Sequence, residues 1–149
     1  MPALTHAHTQ IREAVVTALT GLTTTGSRVF PNRLYSLAAA DLPGLRVFTD
    51  EDAVEAETIH TPHVQSHTLS VLVECCGKAS NGLDDTCDQI SLEVEKALAP
   101  GLTVGGVVLY PTLTALRYQD EPGVSAVGVK QLEFSVTYSV LNNAPETLI

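Results

Sequence analysis

The chain has 149 residues, 44% of them hydrophobic, and a formal charge of −9 from 8 basic and 17 acidic side chains. That length suits one domain, and a chain of this size buries roughly 68–70% of its unfolded surface, which argues against disorder. Gripping nucleic acid by its phosphates needs clustered Lys and Arg, and nowhere do three basic residues stand together. Only 17% of residues are charged, below the usual ~25%, a hint of surface hidden within an assembly.

Met1 to His6 has neither a basic nor an apolar leader region, and no apolar run approaches the ~20 residues of a membrane span. Cys75, Cys76 and Cys87 are odd in number and two are adjacent, which suits reduced thiols better than a disulfide framework. A cytoplasmic protein is expected.

The first predicted element is a helix from about Thr5 to Leu22. Ile11, Val15, Ala18, Leu19 and Leu22 fall on one helical face, and Thr5 or Thr9 offers an N-cap oxygen. Arg28–Phe30 reads as a short extended piece, Asn32–Asp41 as a helical turn, and Gly44–Thr49 as a strand. Asp50, Glu51, Asp52, Glu55 and Glu57 then follow with no base among them. Like charges so close repel unless water or a partner screens them. Asp50 to His67 is therefore expected to be an exposed arm or loose hairpin, mobile in the free subunit and ordered on assembly.

Thr68–Cys75 alternates, placing Leu69, Val71, Val73 and Cys75 on one face of a strand. A helix from Leu83 to Ala99 carries an apolar stripe of Leu83, Cys87, Ile90, Val94 and Leu98. Asp84 and Asp85 at its start and Lys96 near its end suit the helix dipole. Three extended runs follow: Val104–Tyr110, Thr112–Asp120 and Val129–Leu141, with a turn at Asp120–Gly123 between the last two. In the final run Leu132, Phe134, Val136, Tyr138 and Val140 share one face. Residues 142–149 are expected to form a tail. The predicted class is α+β, a mainly antiparallel or mixed β-sheet with two α-helices packed on one face.

Chemistry-bearing patterns are sparse. His60, His63 and His67 have a spacing compatible with zinc ligation, but Pro62 prevents one helical face from presenting them. An alternative reading makes them the site of a small metal-dependent enzyme. Cys75 and Cys87 fall on apolar faces, where a thiol packs as a small hydrophobe. Gly105-Gly106 lacks the Lys-Ser or Lys-Thr of a phosphate loop and reads as a bulge or a close backbone approach. No convergent catalytic site and no cofactor are expected.

The order of elements resembles the tail terminator proteins of long-tailed bacteriophages, the minor tail protein U type. The likeness is carried by Ile11–Leu19, Val29-Phe30, Asp41–Thr49, Ser66–Glu74, the helix Leu83–Leu98 and Leu132–Tyr138. The resemblance implies a non-enzymatic subunit of a homo-oligomeric, hexameric ring. Such a ring caps the tail tube, ends polymerisation of the major tail tube protein and offers a surface to a head-completion or connector protein. It implies assembly in the host cytoplasm, a place at the head-proximal end of the tail in the virion, no membrane partner, and genomic DNA that only passes through the channel. Asp50, Glu51, Asp52, Glu55 and Glu57 are then docking candidates, and Gln131, Glu133, Ser135, Thr137 and Ser139 candidate channel wall. A neck or head-completion protein and a tail-tube protein are the nearest alternatives.

Overall fold

The computed structural model describes residues 5–31, 39–78, 83–120 and 127–149. In chain order these form α1 (Ala7–Leu19), β1 (Val29–Phe30), a 3₁₀ turn (Ala39–Asp41), β2 (Gly44–Ala56), β3 (Val64–Lys78) and α2 (Leu83–Leu98). They continue with β4 (Leu102–Val104), β5 (Val107–Leu109), β6 (Thr112–Asp120), β7 (Val127–Leu141) and β8 (Ala144–Leu148). The fold is α+β, as the alternating patterns predict.

The sheet order is β1-β2-β3-β7-β6, parallel only between β1 and β2. β3 and β7 pair antiparallel along their full lengths, from Val64 opposite Leu141 to Lys78 opposite Val127. The far edge of β7 is shared: β6 covers Gly128–Ser135, and β8 folds back on Val140 and Leu141. One face of this sheet carries Leu45, Val47, Leu69, Val71, Val73, Leu132, Phe134 and Val136, all buried. Against it lie Ile11, Val15 and Leu19 of α1 and Ile90, Val94 and Leu98 of α2. Each such side chain contributes about 1.5–3 kcal/mol on burial, so packing on the sheet, more than intrinsic propensity, holds both helices.

Several sequence expectations need correction. The α1 N-cap is His6, whose Nδ1 accepts from the His8 backbone N–H at 3.1 Å, and neither threonine serves. Val104–Tyr110 is not one strand. Gly105 and Gly106 sit at φ +56° and +83° as the two-residue turn between β4 and β5, a conformation that glycine adopts without strain. The expected tail 142–149 contains β8, because Leu148 has a place in the core and Gln10 of α1 donates to the Glu146 carbonyl at 2.7 Å. The expected helical turn at Asn32–Asp41 lies mostly outside the described residues, as does most of the Asp120–Gly123 turn.

The side chains of Cys75, Cys76 and Cys87 are all buried. Burial and the neighbouring Cys76 push the Cys75 thiol well above its ordinary pKa, which leaves it unreactive. Lys130 ends the core face of β7 and is covered by Asp88 of α2, at 3.0 Å, and by the Tyr118 ring.

Glu93 ties α2 to the segment after α1. Its Oε1 accepts the Thr24 N–H at 2.9 Å, and Oε2 accepts the Thr24 hydroxyl. Burial acts to raise the Glu93 pKa, but the hydrogen bonds from Thr24 prevail and hold it below the ordinary value. The folded state thus binds this proton less readily than the unfolded chain, so the contribution is complete above the unfolded carboxyl pKa and fades as pH falls. Glu93→Gln is expected to lower stability by about 1 kcal/mol at pH 7, with the gap to wild type narrowing below about pH 4. Urea denaturation at pH 7 and pH 3 measures both.

Candidate functional site

The acidic stretch lies on a hairpin built by β2 and β3. Pairing runs from Gly44 opposite Cys76 to Thr49 opposite Val71, then resumes with Asp52 opposite Leu69. Three residues of β2 thus span the step made by two of β3, which is a β-bulge. Side chains alternate along a strand, so one additional residue exchanges the faces beyond it. Before the bulge the odd positions Leu45 and Val47 face the helices. After it the even positions Asp52 and Val54 do.

The bulge therefore turns Asp52 inward. Asp52 Oδ2 lies 2.6 Å from His8 Nε2, 2.8 Å from His67 Nδ1 and 2.8 Å from the Tyr138 hydroxyl. His8 comes from the first turn of α1, His67 from β3 and Tyr138 from β7, where it stands directly opposite His67. The His67 and Tyr138 rings stack with centroids 4.6 Å apart. Burial alone would raise the Asp52 pKa, but the His8, His67 and Tyr138 hydrogen bonds hold the carboxyl below its ordinary range. Burial and the Asp52 carboxylate push the Tyr138 hydroxyl far up, so Tyr138 stays a neutral donor at any physiological pH.

The other predicted residues separate by face. Asp50, Glu51, Glu55 and Glu57 are exposed, so four of the five docking candidates stay available and Asp52 does not. The expected arm is a hairpin, but not a loose one: Ala53 pairs with Thr68, Glu55 with Ser66 and Ala56 with Gln65. Of the three histidines proposed for zinc, His60 is exposed, His63 exchanges hydrogen bonds with Asn142 through its backbone N–H and carbonyl, and only His67 reaches the Asp52 cluster.

Gln131, Glu133, Ser135, Thr137 and Ser139 share the sheet face turned away from the helices. Opposite the last three, β3 presents Ser70, Thr68 and Ser66, which makes a band of hydroxyls without positive charge. Gln131 and Glu133 are less open than expected. Gln131 donates to Glu74 at 3.2 Å, and Glu133 accepts from Thr114. Beside them Arg46 and Glu74 form an ion pair that is largely buried.

The sequence model of the phage minor tail protein U family matches residues 6–138. The chain belongs to that family. A solved structure described as the virion of a native gene transfer agent particle is 18% identical to it, with a TM-score of 0.49 over 89% of this chain and 90% of that one. No curated protein sequence matches the chain at a significant level. As a minor tail protein U, it is a structural component of the phage tail. Among the described residues no helix is long and apolar enough to cross a membrane.

For this minor tail protein the β2–β3 ladder has a direct signature. Amide hydrogen exchange on the isolated protein is expected to be slow throughout 66–69, which pair on both sides, slow at alternate positions of 53–56, which pair on one, and fast at 58–61 between the strands. Rapid exchange throughout 50–67 would show instead that the hairpin orders only on assembly.

Proposed function

We propose that this protein is a tail terminator. Copies close into a ring, hexameric by family resemblance, that caps the tail tube, ends its polymerisation and offers a joining surface to the head-completion protein. The ring acts mechanically, without catalysis or cofactor.

What supports this reading is a pair of unlike apolar patches at opposite edges of the sheet. Val54 and Ile59 are exposed on the β2–β3 hairpin, and Val108, Tyr110, Leu116 and Tyr118 are exposed around β5 and β6. A cyclic ring needs two different surfaces on each subunit, one meeting the other on the next copy. β1 pairs with Leu45 and Arg46 of β2, and residues 53–56 at the far end of β2 are exposed. The acids Asp50, Glu51, Glu55 and Glu57 rim the first patch and would dock on the tube or on a neighbour. The hydroxyl band of Ser135, Thr137 and Ser139, with Gln131 and Glu133, would line the channel; the hydroxyl stretch carries no positive charge to hold DNA, Arg46 is paired with Glu74, and Arg117 bonds Gln131 at the edge of the band.

Native mass spectrometry of the protein, alone and with tail tubes, is expected to show a six-subunit ring. Leu116→Glu places a charge in the second patch without touching the core. It should leave the circular dichroism spectrum unchanged while reducing ring formation at least tenfold. Tails assembled without the protein should be abnormally long in electron micrographs. Tubes of normal length that merely fail to join heads would instead favour a neck or head-completion role.

A further inference from the structure

We propose that His8 Nε2, His67 Nδ1 and Asp52 form a three-ligand site for a divalent transition-metal ion of the zinc class. The bound ion would clamp the start of α1 to the β2–β3 hairpin and β7. The inference is independent of the ring.

Three observations converge on it. The three ligand atoms all lie within 4.8 Å of one another, the only such group of His, Cys, Asp and Glu side chains among the described residues. Two imidazole nitrogens and a carboxylate form a donor set that suits zinc. Second, the Asp52 side chain is only 10% exposed, yet its Oδ1 has no hydrogen-bond partner among the described residues. A buried carboxylate oxygen without a donor is costly, and an ion held by both oxygens of the carboxylate would supply what is lacking.

Third, the outer hydrogen bond of His67 sets its tautomer. His67 Nε2 lies 3.2 Å from Gln65 Oε1, so with the amide in this orientation Nε2 carries the proton and donates. That is the outer contact by which ligating histidines are usually aimed. The Nδ1 lone pair then faces the Asp52 carboxylate at 2.8 Å. The Tyr138 hydroxyl, 3.2 Å from Nδ1 and 2.8 Å from Oδ2, has one proton to give to these two acceptors, whereas a metal ion between them would serve both. Zinc bonds of about 2.0–2.1 Å in tetrahedral array set ligand atoms about 3.3 Å apart, so each imidazole nitrogen moves roughly half an ångström or slightly more away from Oδ2 to admit the ion. Tyr138 closes one side of the site. The His8 side chain is 33% exposed, leaving a path for entry and a fourth position for water.

The test uses the full chain without a polyhistidine tag, freed of metal with a chelator and titrated with Co²⁺ and Zn²⁺. One equivalent of Co²⁺ per chain is expected, with the visible absorption of a four-coordinate ion. Zn²⁺ at a hundredfold excess over its Kd should raise Tm by about 5–10 °C. His8→Ala, at a half-buried position on the first helical turn, should keep the fold by circular dichroism and weaken binding at least tenfold. His60→Ala and His63→Ala should bind like wild type. Absence of stoichiometric binding to wild type overturns the proposal and leaves the cluster as a hydrogen-bonded network centred on Asp52. Equal binding by His8→Ala overturns it as well, as does loss of binding on removal of His60 or His63.

Discussion

The antiparallel ladder between β3 and β7 is the constraint on which the other elements depend. Each strand is 15 residues long, and the two stay in register from end to end. A slip by one position would turn Leu132, Phe134, Val136 and Val140 out of the core and bring Glu133 and Ser135 in, so burial fixes the register. Both helices lie on the face this ladder defines. β2 and β6 each pair with one of its strands, and β8 only completes an edge that β6 leaves open.

Irregularity is confined to the flanking strands. β2 carries an additional residue between Thr49 and Asp52, and β6 carries one between Leu113 and Ala115, where Thr114 bonds the Glu133 carbonyl at 3.2 Å. An outer strand can take a bulge because only one ladder is disturbed, whereas a strand paired on both sides would lose bonds to two neighbours. The candidate functional features collect around these outer strands: the acidic rim and inward Asp52 on β2, the exposed Leu116 and Tyr118 on β6.

Much of the fold is legible in the residue pattern. The stripe Cys87, Ile90, Val94 and Leu98 fixes α2, alternation fixes β7, and the same period, broken by buried Leu72 and Cys76, marks β3. Two kinds of feature were not legible. β8 is short and polar, with Leu148 alone buried within it, so it forms only because β7 and α1 await it. The inward turn of Asp52 depends on a bulge, which leaves no mark in alternation when the residues around it are all acidic. A signal for the cluster did exist. His8 precedes Ile11 by three residues and Val15 by seven, which puts it on the apolar stripe of α1. His67 and Tyr138 likewise share parity with Leu69 and Val136 on their own strands. A polar side chain in line with a core stripe needs a buried partner, and here all of them find the same carboxylate.

The additional residue in β2 also bears on how relatives of this chain should be compared. A homologue lacking it would keep every contact as far as Thr49 but present the opposite set of side chains from there to the hairpin tip. Its acids could match in number and spacing yet point to the other side of the molecule. Correct superposition of such a pair therefore requires a one-position gap in the middle of a strand, where alignment by similarity alone would place none.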